Sequence, residues 1–400
     1  THTHTHTHTH THIHQNKKAI DALSKTLTFL PTHPIPLTNL VIMENRMCDW
    51  SRRPKHLKLL KKALHQEAAE GRSLVTPFHS FEFDLTPAEC QLNSVQTRRV
   101  DERVSYLAGY EPGGQKLAGS RLRIGYFSGS GFHNSTTTAR SMRSQYGMHT
   151  RMYVEVYCYA GQPDDGSEVR SVIKRGCDKF VEVAGLGFHE VANLIKTDNV
   201  KVLIDPTGYI HPQHADRGHV HRPCAGAGLI SRVSEDDGGG VHPLHSLTNP
   251  PEYADFYTEK FMVVPHTYLT NDHRQSRREV LQTKDAPTSS EFGVGDYDLI
   301  LCSFNQLYKI EPQVFGVWMS SLKRLPKAKL WHLEFTKDGV SKLRKAAEKQ
   351  GVDSSRIVAH EQFPTSREFR IKGLADLFLD TPLFNSHTRR AHTHAARGGV

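Results

Sequence analysis

The sequence predicts an α/β protein of two lobes, each built on a parallel sheet, with a short helical segment in front. Three observations carry this. From Arg121 onward, apolar runs rich in Val, Ile, Tyr and Phe alternate with stretches of helical periodicity. The same alternation starts afresh at Tyr297. Strands separated by helices need crossover connections, which are right-handed and give parallel sheets. Residues 16–36 and 49–66, by contrast, show helical spacing alone.

Thr1 to His12 is a strict Thr-His alternation. In an extended strand its histidines would share one face and hold Zn or Ni. A repeated AC dinucleotide, however, encodes Thr and His in every frame. Residues 1–14 are therefore expected to be an unstructured low-complexity tail. Ala19, Leu23 and Leu27 then fall on one helix face, which closes at Pro31. Asp49 to Gln66 reads as a basic amphipathic helix with Leu57, Leu60 and Leu64 on its apolar side. Residues 15–66 thus form the helical segment and 67–120 a connector, Gly-rich and polar from 108 onward.

The first lobe is expected over 121–285. Its strands are Leu122–Phe127, Tyr153–Ala160, Lys179–Val183 and Val200–Ile204, with helices near 166–176 and 188–197. The second lobe, 286–400, has strands near 297–302, 329–335, 356–360 and 374–380. Its helices lie near 312–324 and 338–350.

Composition narrows the function. The 400 residues suffice for two cores. The net charge of +9 is spread along the chain rather than clustered, so no nucleic-acid partner is expected. No apolar run approaches the ~20 residues of a membrane span, and the amino terminus has no apolar signal core. Six scattered cysteines without a CxxC pair point to reduced thiols and a cytoplasmic or nuclear setting. With no DxD after a strand and no ligand-type His/Cys spacing, no metal or other cofactor is expected.

The stretch with the most chemistry is Cys302 to Pro312, CSFNQLYKIEP. It follows the apolar run Tyr297–Cys302 and precedes Val314, Phe315, Trp318 and Leu322, one face of a helix whose first turn suits Pro312. Such a strand-loop-helix presents amides and the helix dipole to an anion, and Lys309 adds a point charge. On these residues alone, a surface lysine in an ordinary loop explains the pattern as well.

The wording of that stretch resembles the C-terminal lobe of protein O-GlcNAc transferases. The likeness continues in WxxxLKRLP from Trp318, in Leu374–Thr388 (LADLFLDTPLFNSHT) and upstream in Val264–His273 (VPHTYLTNDH). It also takes in Cys48-Asp49-Trp50, Pro77-Phe78-His79-Ser80 and, for residues 16–36, the second helix of a tetratricopeptide repeat. The resemblance spans roughly residues 15–400. It implies two Rossmann-like lobes of the glycosyltransferase B type, behind a remnant of the repeat array and a transitional helix. It also implies transfer of GlcNAc from UDP-GlcNAc to Ser or Thr hydroxyls of protein acceptors, with inversion and without metal. Lys309 would then meet the donor diphosphate, Gln306 the uridine side, and His387 and Thr388 the phosphate and sugar. Asp198 matches an aspartate near the acceptor and is the second expected catalytic residue. The loop FNQLYK favours this branch over the protein O-fucosyltransferases. Asp285 to Asp296 leaves no room for the insert of animal enzymes.

The likeness breaks in several places. A first-lobe word close to SSDFxxHPTxH is matched by Ser128–Thr137, where Gly131 replaces the aspartate and Ser135 the first histidine, with His133 two residues early. After Arg222-Pro223, a family stretch close to RPAPVQVSYLGYPGTTGA gives way to Cys224–Gly240. Read one base downstream, the codons agree with the family word over a long run, so residues 222–247 are expected to be frame-shifted. After Thr388 the family continues with a second Thr, a Gly and a donor-contacting helix. This chain has Arg389–His394 and ends at Val400, so the second lobe is expected to be truncated. Thr365 and Glu368 stand where the family prefers a lysine and a histidine. The expectation is a protein O-GlcNAc transferase by descent with impaired activity. A non-catalytic protein-binding pseudoenzyme and the O-fucosyltransferase branch are the alternatives.

Overall fold

A computed structural model describes residues 2–72, 75, 77–95, 121–206, 230–233, 241–244, 249–257, 260–265, 270–276, 287–295, 299–363 and 365–386. The backbone alone is described for 2–15, 77–78, 188, 230–233, 241–244, 260 and 365–366. The chain divides into two units. One comprises Thr1–Gln66, Phe81–Asp84 and Ser276–Val400; the other comprises Glu67–Ser80 and Leu85–Gln275.

In the first unit, helix α1 (His2–Phe29) includes the Thr-His tract, which is helical rather than the unstructured tail expected from composition. Its backbone continues, without a break, the helical register of the segment that follows. Helix α2 (Pro34–Arg46) was not expected. Pro34 opens it, and Leu37, Leu40 and Val41 bury its apolar side. Helix α3 (Arg53–Ala69) fulfils the amphipathic reading, with Leu57, Leu60 and Leu64 buried.

The second unit is built on a seven-stranded sheet. Strands β1 (Leu122–Ser128), β2 (Val154–Ala160), β3 (Lys179–Glu182) and β4 (Val202–Asp205) run parallel in the order β3-β2-β1-β4. Helix α4 (Thr137–Met142) follows β1, α5 (Glu168–Gly176) follows β2 and α6 (Phe188–Thr197) follows β3. Ser167 caps α5 by accepting from the Arg170 amide, and Val169 and Ile173 face the sheet at i, i+4 spacing.

Two strands fall inside the segment expected to be frame-shifted. Strand β5 (Ile230–Val233) pairs antiparallel with β4, and β6 (Val241–Leu244) joins β5 to β7 (Lys260–Val263). The sequence reading found no strand there. Ile230, Val233 and Val241 are β-branched residues that suit a pleated backbone, and four-residue runs are too short for periodicity to register. The remainder of 207–248 lies outside the described residues.

The first unit's sheet is parallel throughout. Strands β8 (Leu299–Ser303), β9 (Ala328–Leu333), β10 (Ile357–His360) and β11 (Leu377–Phe378) stand in the order β10-β9-β8-β11. Helix α7 (Pro312–Arg324) buries Phe315, Trp318, Met319 and Leu322. Helix α8 (Lys337–Lys349), capped by Thr336, buries Val340, Leu343 and Ala347. Helix α9 (Thr365–Lys372) leads into β11. Each unit therefore shows the same order, third-second-first-fourth, with a switch point beside its first strand, where α/β sheets open a crevice at the carboxyl ends.

The cysteines depart from expectation. Cys158 of β2 and Cys177, just before β3, form a disulfide. Adjacent parallel strands bring together two residues whose sequence spacing carries no signal. Among the described residues Cys48, Cys90 and Cys302 form no disulfide. No described helix is long and apolar enough to cross a membrane.

Candidate functional site

The first unit's switch point lies between β8 and β11, and the loops leaving these strands carry Phe304–Lys309 and Leu379–Ser386. Leu307–Lys309 form a single 3-10 turn, closed by the Lys309 amide donating to the Gln306 carbonyl at 3.0 Å. Leu307 and Ile310 are buried in the core beneath, so the turn hangs from two apolar anchors with Gln306, Tyr308 and Lys309 half-buried above. Pro312 then starts α7, whose first amides have no partner within the helix.

Lys309 reaches across to the other loop. Its Nζ donates to the Asn385 carbonyl at 3.0 Å and stands 3.8 Å from the centre of the Phe384 ring. That contact holds the ammonium over the segment leading to His387 and Thr388, which lie outside the described residues. The two loops are also joined beneath the lysine. Asn305 Nδ2 donates to Asp380 Oδ1 at 3.2 Å and to Thr381 Oγ1 at 2.9 Å. Gln306 and Lys309 thus both stand on the loop that leaves β8 at the switch point.

The helical segment supports this turn, which sequence reasoning missed. Cys48 has a left-handed backbone (φ +50°) and is buried in the core of α7 and α8, its thiol donating to the Leu307 carbonyl at 3.6 Å. Trp50 packs on Phe315 at 5.6 Å, Asp49 pairs with Lys342 at 2.7 Å, and Arg53 lies 3.5 Å from Glu311. Lys342 and the Ser51 hydroxyl hold the Asp49 carboxyl below its usual range against the opposing effect of burial. Burial raises Glu311, with Arg53 pulling the other way. The Cys-Asp-Trp word was visible in sequence; its docking site was not.

Glu368 is almost fully buried between His360, at 3.6 Å, and Lys372, at 3.7 Å. Burial opposes its charge, but the neighbouring His360 ring and the Lys372 ammonium hold its carboxyl below the ordinary range. The residue found in place of the expected histidine takes its neighbours from within the chain, and its Oε2 accepts from the Phe363 amide at 3.3 Å. One strand away, His332 is buried, with Nδ1 donating to the Ser303 carbonyl at 3.0 Å, and desolvation pushes its pKa down to about 4.

In the second unit the switch point lies between β1 and β4. Arg170, with 1% of its surface exposed, ties together the loops that leave β1 and β2. It donates to the carbonyls of Gly131, Gln162 and Pro163 at 2.6, 2.9 and 3.1 Å and to Glu182 at 2.9 Å. Gly131 has φ +68°, and a Cβ there would lie 2.8 Å from Gln162 Cβ and 3.0 Å from Arg170 Nη1. The aspartate expected at this position has no room. Ser135 is exposed, and His133 bonds the Pro163 carbonyl at 2.7 Å.

Asp198 stands elsewhere. It follows α6 at the amino-terminal end of β4, with its carboxylate bonded to Lys179 at 2.5 Å and to the Tyr159 hydroxyl at 2.8 Å. Lys179 opens β3, and Arg123, near the start of β1, donates to the Asp198 carbonyl at 3.0 Å. The strands' carboxyl ends, where the crevice opens, are at the other side of the sheet. Asp198 thus sits in the helix-to-strand turn, tied to Lys179 and Tyr159, at the end of the sheet away from the crevice. Among the described residues no group of three or more His, Cys, Asp or Glu is placed to hold a metal.

Comparison with known proteins agrees with this geometry. The chain is 30% identical over 365 residues to a probable UDP-N-acetylglucosamine–peptide N-acetylglucosaminyltransferase of Arabidopsis thaliana, covering 86% of this chain and 36% of the relative. To the UDP-N-acetylglucosamine–peptide N-acetylglucosaminyltransferase of Caenorhabditis elegans it is 24% identical over 468 residues, covering 86% and 40%. The chain thus spans less than half the length of these relatives. Its fold matches that of a variant of the O-GlcNAc transferase of Thermobaculum terrenum with a TM-score of 0.69 at 19% identity, over 94% of this chain and 70% of that one. The family model for glycosyl transferase family 41 matches residues 47–229 and 276–393, leaving unmatched much of the stretch read as frame-shifted. With strands β1–β4 and β8–β11, the Lys309 turn and the docked Cys-Asp-Trp word falling inside those matched stretches, the chain belongs to glycosyl transferase family 41.

Proposed function

We propose that this chain carries the donor-binding apparatus of a protein O-linked N-acetylglucosaminyltransferase, using UDP-GlcNAc as donor and Ser or Thr hydroxyls of cytoplasmic or nuclear proteins as acceptors. The observation that carries the reading is the Lys309 ammonium poised over the β8–β11 switch point. In an inverting transfer the acceptor oxygen attacks C1 of the sugar from the face opposite the diphosphate. The C1–O bond breaks with its electron pair going to the UDP oxygen, and the hydroxyl proton passes to solvent. The charge gathering on the leaving diphosphate is the largest electrostatic demand, and preorganised donors meet it best. Lys309 and the amides at the start of α7 supply cation and dipole there without a metal. Gln306 borders the uridine side, and His387 with Thr388 completes the contact to phosphate and sugar.

Turnover by the chain as it stands is expected to be slow. An exposed Ser135 hydroxyl neither titrates near neutrality nor donates a charged hydrogen bond, so it does not replace an imidazole. That observation favours, as second reading, a non-catalytic module that binds nucleotide and protein. The test is calorimetry with UDP and GDP followed by transfer of radiolabelled GlcNAc to a Ser/Thr peptide. UDP binding with slow transfer supports the proposal, and UDP binding without transfer supports the second reading. Preference for GDP points to the O-fucosyl branch and overturns both.

A further inference from the structure

We infer that Asn305 is a positioning residue for Lys309: its side-chain amide ties the β8 loop to the β11 loop and so fixes where the ammonium stands. The inference rests on the donor reading above. Asn305 is 1% exposed and leaves β8 two residues after Ser303. An amide nitrogen has two N–H donors, and both are used here, one on Asp380 Oδ1 and one on Thr381 Oγ1.

The receiving loop is closed on itself by the same two side chains. Asp380 Oδ1 also accepts from the Thr381 amide at 2.8 Å and the Ser386 amide at 2.7 Å. The Thr381 hydroxyl, itself 0% exposed, donates to the Phe384 carbonyl at 2.7 Å, and Asn385 Nδ2 donates to the Thr381 carbonyl at 3.2 Å. Residues 380–386 therefore move as one body. The two groups that receive Lys309, the Asn385 carbonyl and the Phe384 ring, belong to that body, while Lys309 belongs to the body carrying Asn305. Asn305 sets the separation of lysine and receiver from the buried side.

A residue that merely holds the fold would weaken ligand binding equally whether or not Lys309 is present. A residue that acts through Lys309 loses its effect once the lysine is gone, and a double-mutant cycle separates the two cases. UDP affinity is measured by calorimetry for wild type, Asn305→Ala, Lys309→Ala and the double variant, each checked for folding by a cooperative melt. Thr381→Val removes the other half of the contact at constant volume and serves where Asn305→Ala does not fold. In the wild-type background either substitution is expected to weaken UDP about fivefold, and in the Lys309→Ala background less than about twofold. Equal losses in both backgrounds, or no loss in a folded single variant, overturn the inference. Wild-type protein that ignores UDP removes the donor reading and this role with it; wild type that binds while the cycle is additive removes this role alone.

Discussion

The sulfur of Cys48 lies 3.6 Å from the carbonyl oxygen of Leu307, a residue 259 positions later in the chain. The contact joins the end of the helical segment to the turn that presents Lys309. Burial raises the Cys48 thiol far above its ordinary pKa, so it stays a protonated donor. Cys48→Ala is expected to cost about 1–2 kcal/mol, from the volume of one heavy atom plus a weak hydrogen bond. Urea unfolding followed by intrinsic fluorescence measures this. A loss near zero would mean that the helical segment does not brace the turn.

Asp198 provides a test of scaffold against catalysis. Asp198→Ala leaves Lys179 and Tyr159 without their shared acceptor, at a cost of about 2 kcal/mol given that Lys179 is partly exposed. UDP affinity, measured well below the melting temperature, should stay at the wild-type value. A selective collapse of transfer rate with unchanged stability would restore the catalytic role.

Much of the fold was legible because its strands and helices each bury one face against a core. Phe315, Trp318 and Leu322 in α7 show the helical period, and Leu122–Phe127 reads as a buried strand. The strand, loop and helix around Lys309 were legible because an apolar run, a loop and Pro312 stand in immediate succession, while the reading of the lysine itself came from the resemblance. What escaped was long-range or marginal. Helix α2 was hidden behind Pro31, which read as a stop, although Pro34 three residues on is a start. The Cys158–Cys177 bond, the Cys48–Leu307 contact and the Asn305 clamp join residues that only the sheet register brings together.

The Cys158–Cys177 bond closes a loop of 19 residues around α5. Loop-closure entropy for that length gives about 3 kcal/mol of stabilisation. Adding a phosphine reductant should lower the unfolding midpoint accordingly, and Cys158→Ala/Cys177→Ala should show no further response. A reductant-insensitive midpoint for the wild type would show the two thiols unpaired in solution.

His332 makes stability pH-dependent in a defined window. It is buried with its pKa pushed down to about 4, against about 6.5 in the unfolded chain. Above pH 6.5 both states are neutral and the group contributes nothing. As pH falls toward 4 the unfolded state takes up a proton that the folded state refuses, so stability drops by about 1.4 kcal/mol per pH unit. Between pH 7.5 and 5 the loss is about 2 kcal/mol, and His332→Asn should flatten that part of the profile. A profile unchanged by the substitution would show that His332 titrates normally.

The central claim is that the β8–β11 switch point binds a nucleotide diphosphate through Lys309. Calorimetry with UDP on wild type and Lys309→Ala tests it most directly. Loss of a hydrogen bond to a charged group is worth about 1.5–3 kcal/mol, so UDP should bind wild type about ten- to a hundred-fold more tightly. Equal UDP affinity in the two proteins would contradict the account.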